Sequence, residues 1–154
     1  MSSMSDIIER YLKQILHSND KKMIEIKRSE LADLFQCVPS QINYVINTRF
    51  TAEKGYMIES KRGGGGYIRI FRVEHKDEFE LIDELIKMIN PKISQQRAMD
   101  VIERLSEKKV ITAREKKLIM SAIDRETLRV SLPLRDELRA RILTSILNTL
   151  KLTN

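Results

Sequence analysis

The chain has 154 residues, with 28 Lys and Arg against 22 Asp and Glu, a formal net charge of +6. That length allows one domain or two small lobes, and the basic balance favours an acidic partner such as nucleic acid. A single cysteine, Cys37, excludes an intrachain disulfide and any multi-cysteine zinc site, and His17 and His75 make no recognisable metal pair. No apolar run approaches the roughly 20 residues of a membrane helix. The opening residues lack a basic stretch followed by an apolar core, so the expected location is the cytoplasm.

The first predicted helix spans Asp6 to Leu16. Ile8, Tyr11 or Leu12, and Ile15 recur at helical spacing. Asp6 is the expected cap, with Glu9 three residues on. Ile24 and Ile26 alternate and suit a short strand.

Arg28 to Asn47 carries the most information. Leu31, Ala32 and Phe35 form the apolar side of a short helix, and Gln36-Cys37-Val38 is a break of turn length. Pro39 suits the first turn of a second helix, where a missing N–H matters little. Ile42, Val45 and Ile46 form that helix's inner side. This is a helix-turn-helix pattern, with Gln36 where the turn often has glycine. Cys37 reads as a small buried filler.

The outward residues of the second helix are Ser40, Gln41, Asn43, Tyr44, Asn47, Thr48 and Arg49. Asn and Gln amides can pair with adenine edges, and hydroxyls can hold phosphates. A solvated helix face also carries amides, but it usually mixes both signs of charge. Between Asp33 and Glu53 there is no acidic residue at all.

Thr51 to Gly55 bridges to a hairpin formed by Tyr56–Ser60 and Ile68–Phe71. Its tip holds four of the five glycines, Gly63, Gly64, Gly65 and Gly66, flanked by Lys61, Arg62 and Tyr67, with Arg69 beyond. Between Gln36 and Val73 six basic residues face two acidic ones, so the positive excess gathers around this tip. The run lacks the Gly-Lys-Ser/Thr ending of a phosphate cradle. Helix, helix-turn-helix and basic hairpin in that order make a winged helix. Its second helix suits the major groove and its slim tip the adjacent groove.

Val73 to Lys76 marks a boundary, giving a DNA-binding lobe over residues 1–73 and a helical lobe over 77–154. Asp77 to Ile89 shows Phe79, Ile82, Leu85, Ile86 and Ile89. Ser94 to Leu105 shows Met99, Ile102 and Leu105. A capping box at Thr112–Glu115 opens a helix with Leu118, Ile119 and Ile123. Pro133 opens the last helix, with Leu134, Leu138, Ile142, Ile146 and Leu150 at four-residue steps and Leu143 and Leu147 beside them. This wide stripe is mostly core, with a share available to a second chain in a homodimer. Charged runs such as Glu103-Arg104 read as solvated pairs. No catalytic constellation, metal spacing or cofactor motif is visible, so no enzyme and no cofactor is expected.

The fold class is mainly α with a small β-hairpin: an N-terminal winged helix-turn-helix and a C-terminal helical dimerisation lobe. Candidate DNA contacts are Arg28, Ser40, Gln41, Asn43, Tyr44, Asn47, Thr48, Arg49, Lys61, Arg62, Gly63, Gly64, Gly65, Gly66 and Tyr67. Regulation through RNA and a protein-binding adaptor remain alternatives.

Phe35 to Thr51, Glu59 to Ile70 and Leu134 to Arg141 together resemble the CtsR family, repressors of class three stress genes in low-GC Gram-positive bacteria. The resemblance implies a dimeric repressor of chaperone and Clp protease genes on a directly repeated operator. It implies a glycine-rich wing that releases DNA on warming, and an arginine kinase that phosphorylates the residue matching Arg62. It also implies delivery of the released repressor to Clp proteolysis.

Overall fold

The computed structural model describes residues 2–18, 22–61, 66–73 and 77–152. The chain divides into two compact units, Met1–Glu74 and His75–Asn154.

The first unit starts with α1, Met4–Ser18. The helix begins earlier than the sequence suggests, because Ser3 and not Asp6 caps it. The Ser3 hydroxyl accepts the Asp6 N–H and the Asp6 carboxylate accepts the Ser3 N–H, each at 3.1 Å. Its buried row is Ile8, Leu12 and Leu16 at four-residue steps. Tyr11 is exposed and leans edge-on against Phe35, ring centroids 5.3 Å apart, and Ile15 is half-buried.

β1, Met23–Ile26, follows, then α2, Arg28–Phe35, and α3, Pro39–Arg49. The turn between the helices is made by Gln36 in the left-handed region, φ 52°. Its N–H still reaches the Asp33 carbonyl, and the Cys37 N–H reaches Ala32 at 2.9 Å. A side chain there costs about 1–2 kcal/mol relative to glycine. Ala32, buried, keeps the short helix close to α3. Cys37 is half-buried against the core.

β2, Tyr56–Lys61, and β3, Tyr67–Arg72, form the hairpin. β1 joins as a third antiparallel strand in the order β1-β3-β2, with β3 central. Ile68 and Ile70 turn inward, and Ile24 and Ile58 sit opposite Ile70 on either side. The period of two therefore buries one face of the sheet against α1 to α3. Gly55, buried at φ 97°, is where a glycine is required: its N–H meets Ala52 and its carbonyl accepts from Val73.

The second unit is all-helical: α4, Glu78–Ile89; α5, Gln95–Glu107; α6, Ala113–Ile123; α7, Arg125–Leu128; and α8, Leu134–Leu152. The capping box at Thr112 and Glu115 is present. Side-chain burial departs from the sequence reading at several positions. Phe79, Met99 and Leu118 are exposed, while Leu81, Ala98 and Val101 take the core positions. On α8 the four-step row is the rim: Leu138, Ile142, Ile146 and Leu150 are half-buried and Leu134 exposed. Ala140, Leu143 and Leu147 form the buried row. Arg104 is not a solvated partner of Glu103; it is 2% exposed, and Glu103 pairs with Lys116 of α6 instead.

Candidate nucleic-acid interface

α3 presents a continuous stripe at positions 40, 43, 44 and 47, the i, i+3, i+4, i+7 spacing of one helix face. Ser40, Tyr44, Asn47 and Thr48 are exposed, Tyr44 by 54%. The Thr48 hydroxyl donates to the Tyr44 carbonyl at 2.6 Å, so in that state it can only accept from a partner. Asn43 is half-buried and its Oδ1 accepts from Arg28 Nε at 2.5 Å.

Gln41 and Arg49, expected to point outward, turn toward α1. Gln41 Nε2 donates to the buried Ser5 hydroxyl at 2.7 Å. Arg49 Nη1 reaches Asp6 Oδ1 at 2.9 Å and Glu9 Oε1 at 2.6 Å. The cause is a pair of carboxylates some 40 residues away in sequence, brought beside the end of α3 by the packing of Ile8 and Leu12. α1 thereby grips α3 at both ends.

The electrostatics follow the contacts. The Ser3 N–H, then Arg49, hold the Asp6 carboxyl below its usual range. Burial pushes Glu9 up, but Lys13 and Arg49 outweigh it, so it too lies below its ordinary value. Carboxylates with depressed folded values stabilise above their unfolded values, near 3.8 and 4.5, and lose that contribution as pH falls through the lowered folded values. The double variant Asp6→Asn/Glu9→Gln should therefore melt below the parent at neutral pH. The gap should shrink in acid, as the pH falls through the lowered folded values of the two carboxyls. Melting curves at neutral pH and in acid check this; an unchanged gap in acid would remove the ion pairs as its source.

On the hairpin, Lys61 is exposed and Gly66 adopts φ 52°. Tyr67 is half-buried beneath the Arg69 guanidinium, 4.6 Å from the ring centroid. Arg69 lies between Glu25 at 3.4 Å and Glu59 at 3.9 Å, its register partners on the two outer strands. Its charge is therefore largely answered within the sheet, and the basic character of the tip rests on Lys61 and Arg62. Arg62, Gly63, Gly64 and Gly65 lie outside the described residues. Among the described residues no group of His, Cys, Asp and Glu could hold a metal ion, and no helix is long and apolar enough to cross a membrane.

Two family models cover nearly the whole chain. Residues 3–74 match the CtsR N-terminal HTH domain and residues 77–148 the CtsR C-terminal dimerization domain. The chain belongs to the CtsR family. It is 60% identical over 151 residues to the transcriptional regulator CtsR of Geobacillus stearothermophilus, covering 98% of this chain and 99% of that one. It is 58% identical over 150 residues to CtsR of Bacillus subtilis strain 168, covering 97% of each. A crystal structure of CtsR in complex with a 26 bp DNA duplex superposes with a TM-score of 0.93 at 60% identity, over 97% of this chain and 99% of that one. CtsR proteins are transcriptional regulators, not enzymes.

Proposed function

We propose that this CtsR-family chain is a sequence-specific DNA-binding repressor of heat-shock genes, including chaperone and Clp protease genes, acting in the cytoplasm as a homodimer. The observation that carries it is the exposed, carboxylate-free stripe of α3, in one compact unit with the β2–β3 hairpin. The related protein crystallised on duplex DNA at a TM-score of 0.93 supports the same reading. α3 enters the major groove, and Ser40, Asn47 and Thr48 contact bases or phosphates. The wing from Lys61 to Tyr67 reaches the neighbouring groove. The half-buried row Leu138, Ile142, Ile146 and Leu150 is the surface offered to the second copy. Two copies on two half-sites multiply affinity.

The wing releases DNA on heating. Ordering four glycines in a groove loses backbone entropy, a penalty that grows with temperature. Phosphorylation of Arg62 by an arginine kinase sets negative charge against phosphate and weakens binding, and Clp proteolysis removes the freed repressor.

Duplex binding measured against salt tests the core of this reading. Affinity should fall steeply, in proportion to the phosphates neutralised, and structured RNA should compete poorly. Equal competition by RNA, or salt-independent binding, would contradict it. For the wing, Gly64→Pro should weaken operator binding and flatten its temperature dependence. If both survive that change, the wing is not the sensor.

A further inference from the structure

The hydrogen bond between Arg28 and Asn43 joins the first residue of α2 to the exposed stripe of α3. Arginine can only donate, so the amide atom at 2.5 Å from Nε is the oxygen. Asn43 therefore turns its NH₂ away from Arg28 and has its carbonyl occupied. The oxygen keeps a second lone pair, but the bond to Arg28 fixes the amide plane, which the two-bond contact with adenine would otherwise set.

Arg28 gains what Asn43 gives up. A guanidinium has two edges that can bind a planar acceptor pair, Nε/Nη2 and Nη1/Nη2. Asn43 occupies the first and fixes the plane of the group. Among the described residues Nη1 and Nη2 make no hydrogen bond or ion pair. That leaves a two-donor edge held in place, the complement of guanine O6 and N7 in the major groove.

We propose that Arg28 and Asn43 form one composite base reader, in which Arg28 reads a guanine and Asn43 is a positioning residue that aims it. This rests on the duplex-binding reading above. It deepens that reading by assigning the base and by removing Asn43 from the adenine contacts expected of it. Specificity at this position comes from two helices, α2 and α3, and not from α3 alone.

The test starts with the duplex that the intact protein selects from a random pool. Each guanine in it is then replaced, by another base or by 7-deazaguanine, which lacks the N7 acceptor. Parent, Arg28→Lys, Asn43→Ala and Asn43→Asp proteins are compared on the set, with melting temperatures confirming that each is folded. At one guanine the parent should discriminate on the order of 10- to 100-fold. Arg28→Lys should abolish that discrimination, and Asn43→Ala should reduce it to within about threefold at the same base pair. Asn43→Asp keeps an acceptor for Nε and should retain it. In the double variant the losses should not add.

Asn43→Ala weakening all duplexes equally would assign Asn43 a structural role only and overturn the proposal. So would a loss at a different base pair from Arg28→Lys. A parent protein that selects no duplex would overturn the proposed function itself, a result distinct from either.

Discussion

Replacing Arg139 with alanine should destabilise the C-terminal unit by about 3–5 kcal/mol. The side chain is 1% exposed on α8. Its Nε donates to the Ile123 carbonyl at the end of α6, 2.9 Å, and Nη1 to the Ile93 carbonyl before α5, 3.1 Å. Nη1 also pairs with Asp136 at 2.6 Å. Asp136 in turn accepts the Ile93 N–H on its own carbonyl. One guanidinium thus ties three segments, and truncation orphans two carbonyls and a half-buried carboxylate as well as opening a cavity. Arg139→Lys keeps the charge but not the fork, and should fall between. Because this unit matches a dimerization domain, parent and variant are compared by urea unfolding at one protein concentration. A shift of under about 1 kcal/mol would mean the carbonyls find other donors.

Phe50→Ala should have a comparable effect on the N-terminal unit, about 3–5 kcal/mol. Phe50 is 1% exposed and its N–H closes α3 on the Ile46 carbonyl. Its ring meets Tyr56 edge-on at 4.9 Å, and the Arg72 guanidinium lies over the Tyr56 ring, 4.9 Å from its centroid. This stack joins the end of α3 to the start of β2 and the end of β3. Its loss should loosen the hairpin from the helix as well as lower the melting temperature. Amide exchange in Tyr56–Lys61 should rise more than in α1. Calorimetry and exchange together separate this from a uniform loss; equal exchange across the unit would contradict the joint.

Local patterning made much of the architecture legible. The capping box at Thr112, the spacing of Ile42, Val45 and Ile46, and alternation in the hairpin each depend on neighbours within a few residues. What sequence could not show depends on packing across long separations. Asp6 and Glu9 neutralise Arg49 from 43 and 40 residues away in sequence, and no neighbour of Arg49 in the chain announces it. Arg69 meets Glu25 and Glu59 only through a strand register that composition does not encode. Arg104 and Arg139 look like surface charges on amphipathic helices, yet both lie inside. Arg139 is held there by backbone carbonyls that no side-chain pattern reveals. The shift of the buried row on α8 from Leu138 and Ile142 to Ala140 and Leu143 has a related cause. A stripe apolar across more than one row does not say which row faces the core.

In the proposed function the α3 stripe and the wing hold one duplex together with sequence preference. Selection from a random pool of double-stranded DNA, cool and at low ionic strength, tests it most directly. Enrichment of a short element in repeated copies, lost when the pool is challenged at elevated temperature, is the expected result. A pool that emerges unenriched from protein shown to be folded would contradict it.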